Sequence, residues 1–149
     1  MSLEKKLMDQ LKTAMKSKNK IALQALRAVK SAIILAKTEN GAGTELTEDQ
    51  ELKILQKQVK QRKDSAVLFV QQGRQDLADP ELEEVAVIEQ FLPEALSEDE
   101  IEAVVKATIT KLGASGMQDM GKVMGMVSKE LAGQADGKTI STFVRKHLI

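Results

Sequence analysis

Cysteine, tyrosine and tryptophan are absent from this 149-residue chain, and histidine occurs once, at His147. Without cysteine there is no disulfide, no thiol nucleophile and no thiolate metal ligand, a composition that suits the cytoplasm. The three phenylalanines all fall at apolar helical positions and form no stacking platform, so any RNA bound is expected to be structured rather than splayed single strand. The opening run MSLEKKLMDQ has no apolar signal core, and no apolar stretch approaches the length of a membrane span. The expectation is a soluble cytoplasmic protein with no membrane partner. Also missing are a Walker-type glycine loop, a dinucleotide fingerprint and any His/Asp/Glu set at metal-ligand spacing, so no metal, cofactor or catalytic residue is expected. His147 falls in the last turn of the last helix, where an imidazolium suits the helix dipole.

What is present is charge, helical periodicity and glycine in unusual places. The 22 basic and 22 acidic residues cancel, but residues 1–37 hold nine basic and two acidic (+7), residues 38–100 six and sixteen (−10), and residues 101–149 seven and four (+3). A basic end allows a polyanion patch, and the plain alternative is that basic and acidic helices pack side by side. Asp76, Asp79, Glu81, Glu83, Glu84 and Glu89 read as a solvated acidic helix face rather than an acid/base pair.

Apolar residues recur at helical spacing throughout, and nothing alternates as a strand would. Ser2 can cap a helix with Leu3, Leu7, Leu11 and Ala14 inward. Asn19 can cap a second helix with Ala22, Leu26, Val29 and Ile33 inward and Lys20, Arg27, Lys30 and Lys37 outward. Thr47 with Gln50 forms a capping box for a third helix of about 25 residues ending at Gly73. A fourth runs to Phe91 from either Arg74 or Pro80, with Pro80 favoured as its first residue. Leu92-Pro93 breaks the pattern, and Ser97 with Glu100 starts a helix holding Ile101, Val104, Val105, Thr108 and Leu112. The fold class is all-α: an N-terminal hairpin or bundle of three to four helices in residues 1–93, then a compact domain of three to four short helices in residues 94–149.

The stretch Met117 to Lys138 stands out. Met117, Met120, Met124, Val127 and Leu131 predict one apolar stripe, with the methionines filling a core rather than holding a soft metal. Beside them Gly121, Gly125, Ser128 and Ala132 form a strip of small residues, although each interior glycine costs a helix roughly 1 kcal/mol relative to alanine. Close approach of another backbone, protein or nucleic acid, would offset that cost. Gly133 suits a helix C-terminus and Asp136-Gly137-Lys138 opens the last helix. Lys122 and Lys138 lie near helix starts, where free N–H groups favour an anion such as phosphate.

The run Met120-Gly121-Lys122-Val123-Met124-Gly125, with Gly133 and Asp136-Gly137-Lys138, resembles the signature of the YqeY-like family, and Leu92-Pro93, Leu96-Ser97 and Glu100 fit the same pattern. The C-terminal domain of that family is similar to the tail domain on the B subunit of the glutamyl-tRNA(Gln) amidotransferase. That tail is thought to contact tRNA, while glutamine hydrolysis and the ATP-dependent step occur elsewhere in the enzyme. The resemblance implies a helical module that associates with tRNA or with a component of the tRNA-aminoacylation or amidotransferase machinery. It carries over Gly121, Lys122, Gly125, Gly133, Asp136, Gly137 and Lys138 as RNA contacts. Two further function classes stay open: a helical protein-interaction adaptor, and, by kinship alone, a carbon–nitrogen ligase with glutamine as amido-N-donor.

Overall fold

A computed structural model describes residues 2–41 and 43–149, so Met1, and Ala42 in the loop expected between the second and third helices, lie outside the described residues. Among the described residues the chain is all-α, with seven helices and no strand: α1 (Leu3–Lys16), α2 (Lys20–Glu39), α3 (Glu48–Gln71), α4 (Gln75–Glu89), α5 (Glu98–Leu112), α6 (Met120–Glu130) and α7 (Gly137–Leu148). They group into two compact units, residues 1–92 and 93–149.

In the first unit each boundary has a local cause. Ser2 accepts from Lys5 N (3.2 Å) and Asn19 from Ala22 N (3.0 Å). Between α1 and α2, Lys18 takes a left-handed conformation (φ 57°) that lets Asn19 N return to Ala14 O at 3.0 Å, closing a tight hairpin. The Thr47/Gln50 box is complete, with Gln50 N to Thr47 Oγ1 at 3.2 Å and Thr47 N to Gln50 Oε1 at 2.9 Å. Gly73 (φ 72°) ends α3 so that Arg74 N reaches Phe69 O at 2.8 Å. Leu7, Leu11, Leu26, Val29, Ile33, Leu55, Val59, Val85 and Ile88 form the core.

Two features of this unit depart from expectation. Helix α4 begins at Gln75, directly after Arg74, and carries Pro80 inside it instead of starting there. Arg74 O accepts from Leu77 N and Ala78 N, the buried Ala78 holds the start of the helix in place, and Pro80, the sixth residue, forgoes the bond to Asp76 O. Glu84 is not on a solvated face. It is buried, takes a hydrogen bond from Arg62 Nε (3.2 Å) across the α3–α4 pair, and leaves Oε1 without a hydrogen-bond partner among the described residues. Burial pushes its carboxyl above the usual carboxylate range, against the opposing pull of Arg62.

The second unit has its own core of Ile101, Val105, Val123, Val127, Leu131, Ile140, Val144 and Leu148. Ser97 caps α5 through Glu100 N (3.2 Å). A 3-10 turn over Met117–Asp119 leads into α6, and Gly116 N bonds Leu148 O (3.1 Å), joining this turn to the end of α7.

Candidate nucleic-acid interface

Helix α6 rests on the core through Val123 and Val127, with Met120 and Met124 partly covered at its flank. Met117 is exposed in the preceding turn, so the inward stripe is centred about one residue away from the predicted one, on Val123 rather than on the methionines. The opposite face presents Gly121, Lys122, Gly125 and Ser128, all exposed. A Cβ built at Gly121 or at Gly125 meets nothing within 4 Å. The expectation is close approach of another backbone, protein or nucleic acid, and among the described residues no backbone of this chain supplies it: α5 and α7 pack on the other side of α6, and the glycine strip faces open space. What remains is a stretch of bare helix backbone beside a lysine in the first turn.

Gly133 is a different case. It is buried, with φ 80°, in the turn that follows α6, where a side chain would be strained. The turn it makes brings Gln134 to the extended segment that precedes α5: Gln134 O accepts from Leu96 N (3.0 Å) and its side-chain amide donates to Glu94 O (3.4 Å). Folding alone accounts for this glycine.

Asp136 is the N-cap of α7 and accepts from Thr139 N at 2.7 Å. Its carboxylate thus sits where an anion at that helix start would bind. Gly137 and Lys138 follow it in the first turn, both exposed. The sequence-predicted residues consequently fall into two groups rather than one site. Gly121, Lys122 and Gly125 lie in the first half of α6; Gly133, Asp136, Gly137 and Lys138 follow its far end, about 12 Å along the axis from Lys122 at 1.5 Å per residue.

A charged cluster that sequence patterning misses joins α5 to α7. Glu102 Oε1 accepts from His147 Nε2 at 2.9 Å, with Lys146 Nζ at 3.5 Å and Lys106 Nζ at 3.6 Å. The hydrogen bond from His147 is the largest cause holding the Glu102 carboxyl below its ordinary value. His147 therefore acts as a tie between helices as well as a residue at a helix end. The spacing of Glu102 and Lys106 is visible in the sequence; their meeting with α7, 45 residues on, is not. Among the described residues no three His, Cys, Asp or Glu gather as metal ligands, and no helix is long and apolar enough to cross a membrane.

The profile of the Yqey-like protein family matches residues 4–148. The chain belongs to the YqeY-like family. It is 32% identical over 145 residues to "Altered inheritance of mitochondria protein 41, mitochondrial" of Pyrenophora tritici-repentis (strain Pt-1C-BFP), covering 95% of this chain and 78% of that one. The protein of the same name in Clavispora lusitaniae (strain ATCC 42720) is 34% identical over 126 residues, 82% and 72% of the two chains. A shorter match joins the chain to the E subunit of the glutamyl-tRNA(Gln) amidotransferase of Thermococcus gammatolerans (strain DSM 15229 / JCM 11827 / EJ3). The two are 40% identical over 73 residues, which is 46% of this chain and 12% of the amidotransferase chain. The YqeY-like chain is thus related in part to an amidotransferase component.

Proposed function

We propose that this YqeY-like protein is a tRNA-associated accessory module, without catalytic groups of its own, that works beside a tRNA-aminoacylation or amidotransferase component. The observation that carries the reading is the match to the archaeal amidotransferase chain, a protein whose name sets it on glutamyl-tRNA(Gln). The exposed members of the candidate set fit it. Gly121 and Gly125 open a side-chain-free surface to which a ribose-phosphate backbone can come close, while Lys122 and, past the turn, Lys138 supply charge. Gly137 lies in the same exposed first turn as Lys138, which Asp136 caps, while Gly133 serves the preceding turn. The cytoplasm is proposed as the compartment from the sequence, and both fungal relatives are named as mitochondrial proteins.

The test is a titration of labelled tRNA at several salt concentrations. Affinity is expected to rise steeply toward about 50 mM salt, and Lys122→Ala and Lys138→Ala each to lower the salt dependence by about one ion without changing the melting temperature. Absence of binding even near that salt concentration would end the proposal. With glutamine, ATP and mischarged tRNA supplied, amide formation is expected at background; turnover above it would restore the ligase reading.

A further inference from the structure

The α1–α2 hairpin, remote from the glycine strip in sequence, carries a surface that folding does not use. Between the two helices opens a half-enclosed cavity of about 150 Å3, lined by the buried Leu7 and Ile33, by the exposed Met8 and Ile34 at its mouth, and by Glu4, Lys30 and Lys37. A cavity of about this volume takes up benzene, so it has room for one apolar side chain. Met8 is 42% exposed and Ile34 55%, and Met15, 53% exposed, lies two turns along α1 from Met8 on the same helix face. Cations accompany them. Lys12 falls between the two methionines, and Lys30 and Arg27 follow Ile34 back along α2 at intervals of four and three.

These charges have little to answer them within the chain. Among the described residues Lys12, Arg27 and Lys30 pair with no carboxylate, and the Lys30 amine rests on Met8 Sδ at 3.7 Å. Glu4, the carboxylate at the rim, is already engaged by Lys37, which also reaches Glu45 at 3.4 Å. A concave apolar recess set in a segment of nine basic and two acidic residues calls for an occupant that is apolar at one point and acidic around it. Phosphate backbones gain nothing from Met8 and Ile34, and the face offers no aromatic ring to a base.

We propose that this face docks an acidic amphipathic helix of a partner protein, with one apolar side chain seated in the cavity and carboxylates one turn to either side meeting Lys12, Arg27 and Lys30. Two exposed positions serve as probes: Ile34→Asp places charge at the mouth of the recess, and Lys30→Glu reverses its rim, with far-UV circular dichroism confirming that each variant keeps its helices. The full chain is titrated with a synthetic leucine- and glutamate-bearing amphipathic peptide, with a scrambled peptide of the same composition, with tRNA, and with phosphatidylserine/phosphatidylcholine vesicles. The expected result is saturable binding of the amphipathic peptide, NMR shift changes confined to α1 and α2, and about tenfold weakening by either substitution. Equal binding of the scrambled peptide, insensitivity to both substitutions, or tighter binding of tRNA or vesicles that the same substitutions abolish would overturn it.

Discussion

Gly125 stands on an exposed helix face with nothing within 4 Å of the position a methyl group would take. Helix propensity then decides the outcome of replacing it: Gly125→Ala is expected to raise stability by roughly 1 kcal/mol, read from urea unfolding. Under the proposed function the same variant binds tRNA more weakly, so stability and affinity move in opposite directions. A purely structural glycine would give the reverse for stability. The sequence makes the glycines conspicuous but cannot say which neighbour they spare, because a helical wheel locates a face and not what stands opposite it. Gly133 shows the same limit: its C-terminal position is legible, but its burial, next to a residue that bonds Leu96, is not, since that contact joins segments far apart in the chain.

At the scale of elements, helix starts and stops are the most legible features, because caps are local chemistry. Ser2, Asn19, Thr47, Ser97 and Asp136 all accept a backbone N–H from the residue three positions on. The start of α4 is the exception: Pro80 is equally good at a first position, and only the burial of Ala78 decides for the longer helix. Pro80→Ala restores a backbone donor to Asp76 O and is expected to stabilise α4 by about 1–2 kcal/mol, visible as slower amide exchange over residues 76–80. The pairing of α5 with α7 depends on pH. Glu102 titrates lower in the folded than in the unfolded chain, so its contribution is complete above the unfolded carboxylate value of about 4.3 and is lost as pH falls through the folded one. Glu102→Gln is therefore expected to flatten the loss of stability as pH falls below the ordinary carboxylate range, read from urea unfolding across pH. Glu84 has the opposite sign: its raised carboxyl favours folding most in acid, and that contribution fades as pH rises through its folded value.

For the whole molecule, two separate apolar clusters divide the stability between two bodies. Ile140, 2% exposed, belongs to the second, and Ile140→Ala is expected to cost residues 93–149 about 2–4 kcal/mol while the transition of residues 1–92 stays in place, as differential scanning calorimetry would show. The all-α class follows from periodicity alone, whereas the core side of α6 does not, because methionine and valine both satisfy an apolar pattern and burial chooses between them.

Of the three aromatic rings, Phe91 packs against the first cluster and Phe143 against the second. Since the chain is dark at the wavelengths where indole emits, Phe143→Trp would install a single optical reporter seated on the core of residues 93–149. Rapid-mixing traces from that one fluorophore could then time the closing of α7 onto α5 and α6 in isolation.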